Sequence, residues 1–286
     1  MTQSRALQDG TDAGTTVLVT AATGKTGRRV RERLASRGYE VRAGSRSGST
    51  HFDWEDEGTW GPALDGVDSA YVAYYPDLAA PGAKEAMRAF GRAAVDHGVQ
   101  KLVLLSGRGE PLAHAAEEAL RSSGVQLTVV RAAFFAENFT EGLFAAGVSE
   151  GELPMPAGTT AEPFVCVDDV AAVVVHALTE DGQAGLIHEL SGPRALTFEE
   201  ALAQISTAIG RPVRYTPVSA SEYSTVLRQF GLSTPEANFV SELFAELLDG
   251  RNSSPTDGVR QVLGRAPRDF AEYVKEAAAK GAWSPH

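Results

Sequence analysis

Thr15-Thr16-Val17-Leu18-Val19-Thr20-Ala21-Ala22-Thr23-Gly24-Lys25-Thr26-Gly27 is a short apolar run that ends in a glycine-containing turn. Lys25 to Arg37 follows with Val30 and Leu34 at helical spacing, and Gly38 supplies a helix stop. Glu40 to Ser45 then reads as a second strand. Strand, turn, helix and strand fit within roughly the 30 residues of a βαβ unit. A dinucleotide pyrophosphate needs backbone N–H groups aimed at it and a chain able to come close; a glycine turn at a helix N-terminus after a first strand provides both. Gly24 and Gly27 hold two positions of a G-x-x-G-x-x-G spacing, whose first glycine is replaced by Ala21. Ala22, Thr23, Gly24, Lys25, Thr26 and Gly27 are therefore the candidate phosphate cradle. A glycine turn with no ligand is the plainer reading.

Working outward, Ser69 to Ala73, Gln100 to Leu105 and Gln126 to Ala132 read as further strands, separated by helical stretches at Gly82 to His97 and Leu112 to Ser122. Such alternation predicts an α/β, Rossmann-type doubly wound parallel sheet over residues 15–135. Residues 1–14 are polar, read as a disordered tail and lack the apolar stretch of a signal peptide. After Ala132 the rhythm loosens, with a Pro/Gly-rich loop at Leu153 to Gly158 and a short strand expected at Glu162 to Val167. A helix at Asp168 to Leu178 and a strand at Leu186 to Leu190 would return to the main sheet, so 165–190 is expected to rejoin it. The rest of 136–286 predicts a smaller, mostly helical lobe. There Thr197-Phe198-Glu199-Glu200 fits a capping box, and helices are expected near Ser221 to Phe230, Pro235 to Leu248 and Arg268 to Lys280.

Composition narrows the function class. A net charge of −11 argues against an electrostatic grip on nucleic acid or on an anionic membrane. No stretch approaches the roughly 20 apolar residues of a membrane span. Cys166 is the single cysteine, which excludes an internal disulfide framework and fits a reducing compartment, so a cytoplasmic protein is expected. It sits in an apolar run and reads as a small buried hydrophobe. Six histidines show no spacing such as H-E-x-x-H, so no metal is expected.

The end of the second strand discriminates between nucleotides. An acid there binds the ribose hydroxyls of NAD, whereas a nearby arginine accommodates the extra phosphate of NADP. This chain has Ala43-Gly44-Ser45-Arg46-Ser47. Ser45 and Arg46 favour NADP, with NAD still open and a solvated Arg46 the bland alternative.

Several stretches in combination give the chain a likeness. They are Val19 to Gly27, Ser122-Ser123-Gly124-Val125 leading into Val129-Val130-Arg131, Phe134-Phe135-Ala136-Glu137-Asn138-Phe139, Val165 to Ala171, and Ile209-Gly210-Arg211-Pro212-Val213. The chain resembles the NmrA-like branch of the atypical short-chain dehydrogenases from about Thr16 onward. Ser45-Arg46-Ser47-Gly48 with Phe52-Asp53-Trp54 is also similar to the ergot-alkaloid reductases of that branch, which reduce iminium intermediates of polycyclic indoles. The resemblance implies a substrate cleft between the Rossmann domain and the lobe. It places Asp53 and Trp54 beside the adenine, Ala73, Tyr74 and Tyr75 beside the riboses, and Phe135 to Asn138 at the nicotinamide end. Tyr74-Tyr75-Pro76 read equally well as a strand end packed on a loop, and Phe134-Phe135 as core aromatics.

Short-chain dehydrogenases use a Tyr-x-x-x-Lys pair, in which the lysine lowers the tyrosine pKa. Here Ser106 to Glu118 contains neither residue. His114, with an intrinsic pKa near neutrality, is the candidate acid or base, and Ser106 a candidate hydrogen-bonding partner for a substrate oxygen; packing roles compete with both. Glu117 and Glu118 read as a solvated helix face, and Asp168-Asp169 as helix caps. Trp60, Tyr74, Tyr75, Phe134, Phe135, Phe139 and Phe144 are available as flat pocket walls. The expected function is reduction, in secondary metabolism, of an apolar, aromatic or polycyclic small molecule that is an electron-poor acceptor such as a quinone, enone or iminium. A dinucleotide-sensing regulator with a protein partner and a polyketide-tailoring enzyme remain as alternatives. The oligomeric state is left open.

Overall fold

Parallel strands that bury side chains on both faces need helices on either side, and the computed structural model, which describes residues 14–284, has that arrangement. The tail read at 1–14 lies, apart from Gly14, outside the described residues. The chain runs β1 (Thr16–Val19), α1 (Lys25–Ser36), β2 (Glu40–Ser45), β3 (Thr50–His51), α2 (Trp60–Leu64), β4 (Ser69–Val72), α3 (Ala83–Asp96), β5 (Lys101–Gly107), α4 (Pro111–Arg121) and β6 (Gln126–Ala132). Then come α5 (Leu143–Glu150), β7 (Glu152–Met155), β8 (Ala161–Glu162), α6 (Val167–Thr179), β9 (Ile187–Leu190), β10 (Leu196–Thr197), α7 (Phe198–Ile209) and β11 (Arg214–Pro217). Four helices close the chain: α8 (Ala220–Gln229), α9 (Thr234–Leu247), α10 (Gly258–Leu263) and α11 (Phe270–Ala279).

The main sheet has seven strands in the order β3-β2-β1-β4-β5-β6-β9, and every pairing is parallel. This is a Rossmann-type sheet. Val17 and Val19 face one side, where Val30 and Leu34 of α1 meet Val170, Val173 and Val174 of α6. Leu18 faces the other, with Leu64, Met87, Phe90 and Leu120. The alternation along β1 thus divides two helical layers. Strand order reverses between β1 and β4, which opens a crevice at the carboxyl ends of the strands.

The C-terminal lobe has its own aromatic core, in which Phe164 meets Phe139 and Phe198 edge to face. The capping box holds: Thr197 Oγ1 accepts from the Glu200 N–H, and Glu200 accepts from the Thr197 N–H at 2.8 Å. In α8 and α9, Glu222 and Glu236 reach back in the same way to the N–H groups of Ser219 and Ser233. These two helices pack mainly on each other as a hairpin.

Four expectations are corrected. Part of the Leu153 to Gly158 loop is strand β7, paired in parallel with β11. Pro154 is tolerated because a two-stranded ribbon leaves one edge of each strand free of ladder bonds. Trp60, Phe139 and Phe144 are buried in the two cores, not on a pocket wall, because a large ring gains most from full burial. Glu117 is 1% exposed and bonded to Arg131, so it is no part of a solvated face. The N-cap of α6 is Cys166; Asp169 is buried, accepting from Arg265 Nη2 at 2.6 Å and the Arg268 N–H at 2.8 Å, while Asp168 pairs with Arg29 and Arg33.

Candidate active site

The turn after β1 is built around one carbonyl. Ala21 adopts a left-handed φ of 47°, and its oxygen accepts from the Gly24 N–H at 2.8 Å. A Cβ on Gly24 would lie 3.2 Å from that oxygen and one on Gly27 only 2.2 Å, so Gly27 is needed for helix α1 to seat against the turn. Ala22 is buried and donates its N–H to Gly44 O at 3.1 Å, while Thr23 and Gly24 face solvent. Thr26 Oγ1 accepts from the Tyr71 hydroxyl at 2.8 Å, which pins the first turn from below. Helix α1 starts with no side-chain cap and no acidic residue in its first turn. Its first N–H groups lack intrahelical partners, and its dipole favours an anion there. The turn therefore fits a dinucleotide pyrophosphate.

Lys25 Nζ donates to Asn138 Oδ1 at 2.6 Å, so a residue of the cradle meets one expected at the nicotinamide end. Burial lowers the Lys25 pKa, against the opposing pull of Glu141 and Glu137. Arg28 and Arg29 pair with Glu141 at 2.5 and 2.9 Å, which fastens α1 to the start of the lobe. At the opposite end Ser45 is half-buried and Arg46 exposed, with its guanidinium carbon 5.5 Å from the centroid of the Tyr75 ring. Tyr75 is 62% exposed.

Asp53 and Trp54 stand apart from the cleft. Asp53 Oδ1 accepts from the Glu55 N–H at 3.1 Å. Trp54 Nε1 donates to Ala73 O at 3.0 Å, and its ring sits among Phe52, Trp60, Tyr74 and Phe90. In this position it braces the end of β4.

The cleft has a volume of about 510 Å³ and brings together Lys25, Thr26, Ala73, Tyr74, Tyr75, Ser106, Phe135 and Asn138. Phe134 forms a wall, and Leu243, Phe244 and Leu247 of α9 close the lobe side. Ser106 Oγ donates to Glu117 Oε1 at 2.6 Å, and Glu117 is held in turn by Arg131 Nη2 at 2.7 Å. With its hydrogen committed to Glu117, Ser106 offers the cleft only an acceptor. His114 is not among the lining residues, and its Nε2 is buried without a hydrogen-bond partner.

Three acidic residues that sequence reasoning missed do line the cleft: Asp77, Glu110 and Glu162. Burial pushes the Glu110 carboxyl up to about 9, with Asp77 adding to the shift. Burial also raises Asp77 and brings Glu162, 0% exposed with neither oxygen hydrogen-bonded, to about 7. The available signal was positional, since Asp77 and Glu110 follow the ends of β4 and β5, where open α/β sheets hold ligands. Cys166 is buried and its thiol pKa is raised by desolvation, so it is not a nucleophile. Among the described residues no cluster of three or more His, Cys, Asp or Glu is placed to hold a metal, and no helix is long and apolar enough to cross a membrane.

The NAD(P)H azoreductase of Xenophilus azovorans is 31% identical over 87% of this chain and 86% of its own length. Agroclavine dehydrogenase of Claviceps fusiformis is 29% identical, covering 91% of this chain and 96% of that one. The NADPH-dependent quinone oxidoreductase of Escherichia coli, solved in complex with NADPH, shares the fold at a TM-score of 0.73 and 21% identity over 91% of this chain and 99% of that one. The model of the NmrA-like family matches residues 113–274, more than half of the sequence, and the chain belongs to that family.

Proposed function

We propose that this protein is an NADPH-dependent reductase of an apolar, planar, electron-poor small molecule. The observation that carries the reading is the single cleft that runs from the uncapped N-terminus of α1 to the aromatic wall at Phe134 and Phe244. The dinucleotide, when bound, supplies a hydride. Lys25 and the first N–H groups of α1 bind its phosphates, and Ser45 with Arg46 receives the 2′-phosphate that distinguishes NADP from NAD. Phe135 and Asn138 orient the reacting end. Phe134, Phe244 and Leu247 keep the cleft poor in water, which favours charge transfer between positioned groups. The names of the azoreductase, dehydrogenase and quinone oxidoreductase relatives support the same reaction class. A buried sole cysteine accords with a reducing, cytoplasmic setting.

The test is NADPH oxidation with a panel of quinones, enones and iminium compounds, followed by loss of the reduced-cofactor absorbance. Turnover with at least one class supports the reading. Tight NADPH binding with no turnover across the panel defeats it and points to a dinucleotide sensor instead.

A further inference from the structure

Two of the three cleft carboxyls form a unit. Asp77 follows β4 and holds one oxygen against the Ala79 N–H at 2.7 Å. Glu110 stands at the N-cap of α4 but makes no capping bond. Its carboxyl folds back over Gly107, where a Cβ would lie 1.9 Å from Oε1, so glycine at 107 is what leaves it room. There the Asp77 and Glu110 carboxyls face each other, and two negative charges so placed in a water-poor site are unfavourable. Burial and the facing Asp77 carboxyl therefore favour the protonated form of Glu110. Glu110 is 8% exposed and its Oε2 has no hydrogen-bond partner, a costly state for a group that serves packing alone.

Glu110 also separates two cavities. On one side is the main cleft; on the other is a cavity of about 190 Å³ bordered by Glu242 and Glu246 of α9, and the two share Leu243 and Leu247. A buried acid between a reaction cleft and an acid-lined cavity is placed to give a proton to one side and recover it from the other.

We infer that Glu110 is the catalytic acid of this cleft, with Asp77 as its positioning residue, and that the substrates are acceptors such as enones, which need a proton as well as a hydride. The inference rests on the reductase reading. Hydride adds two electrons and one hydrogen to the β-carbon of an enone and leaves an enolate. The Glu110 O–H bond then breaks as a bond from that hydrogen to the enolate forms, and the electron pair stays on Glu110. Bulk solvent restores the proton through the smaller cavity. An iminium acceptor, by contrast, becomes a neutral amine on hydride addition alone.

The groups facing Glu110 are Asp77 from the loop after β4, Glu117 from its own helix and Glu246 from α9, all of which oppose its ionisation. Arg251, beyond α9, donates to Gly109 O at 3.3 Å and pairs with Asp249 and Glu246. Glu110 ionisation therefore sets an alkaline limb in the pH profile, and Asp77→Asn removes a neighbouring charge and moves that limb to lower pH.

The experiment compares wild type and Glu110→Gln on matched enone and iminium acceptors, with NADPH affinity from fluorescence titration and infrared difference spectra between neutral and alkaline pH. The expected result is an enone-to-iminium turnover ratio lowered by about 100-fold or more, NADPH affinity within about twofold, and loss of the protonated-carboxyl band that wild type gives up on alkalinisation. An unchanged ratio in a variant that still binds NADPH overturns the assignment of Glu110 alone. If Glu110→Gln does not fold, Asp77→Asn decides: a limb moved to lower pH supports the assignment and an unmoved one overturns it. Wild type that turns over neither acceptor defeats the reductase reading, and this assignment with it.

Discussion

The carbonyl oxygen of Ala21 lies 2.2 Å from the point a Cβ on Gly27 would occupy. Both obstacles nearest that point are backbone atoms of the turn, so no side chain can swing aside. Gly27→Ala should lower unfolding free energy by about 1–3 kcal/mol, in the range of overpacked cores, and weaken NADPH binding. Ala21→Gly removes the strain of a left-handed alanine but adds freedom to the unfolded chain, and should change stability by less than about 1 kcal/mol. Urea denaturation of both variants checks this; a Gly27→Ala protein as stable as wild type contradicts the seating argument.

Arg46 lies over the Tyr75 ring, and its proposed role is to receive a 2′-phosphate. Loss of a charge-assisted hydrogen bond is worth about 1.5–3 kcal/mol, so Arg46→Ala should weaken NADPH by roughly 10- to 100-fold. NADH should be nearly unaffected. Fluorescence titration with both nucleotides reads the difference, and equal losses would remove the case for NADP.

Beneath the cleft, Arg131 binds Glu117, which also receives the Ser106 hydroxyl. Arg131→Met leaves a buried carboxylate without its cation and should cost about 3–5 kcal/mol. The double variant Arg131→Met, Glu117→Leu should recover most of that loss, because the orphaned charge is gone. Failure of the second change to recover stability in thermal or urea unfolding would show that the ion pair does more than neutralise Glu117.

Glu162 predicts a pH dependence of stability. Burial raises its pKa from 4.5 in the unfolded chain to about 7 in the folded one. Between those values the unfolded chain releases a proton that the folded chain keeps. Its contribution is therefore intact below about pH 4.5 and declines as pH rises to about 7, by on the order of 3 kcal/mol at most. Glu162→Gln should unfold at a higher temperature than wild type near pH 8, and the gap should narrow near about pH 5. A gap independent of pH would mean that Glu162 is ionised in the folded protein at both values.

The alternation that builds the sheet was legible because it is local: Val17 to Val19, Val30 with Leu34, and the stop at Gly38 each act within a few residues. The glycine turn at Gly24 and Gly27 was legible for the same reason. What sequence did not disclose depends on depth. Glu117 looks like any helix-surface glutamate until Arg131 of β6 is brought under it, and Trp60, Phe139 and Phe144 look like pocket walls until two cores enclose them. His114 drew attention through its intrinsic pKa, whereas Glu110, one turn earlier, gains proton-holding character only from burial beside Asp77. Intrinsic acidity is a property of a residue type; acidity in a cleft is a property of neighbours.

The pairing of α8 with α9 also bears on how such a scaffold diversifies. Everything assigned to the nucleotide is carried by the sheet, α1 and the segment around Asn138, whereas the far wall of the cleft hangs on one helical hairpin that leans mainly on itself. Selection can therefore rewrite Leu243, Phe244 and Leu247 without disturbing the electron donor's berth. A graft of residues 220–247 between relatives becomes a way of exchanging clientele while the nucleotide side of the cleft stays in place.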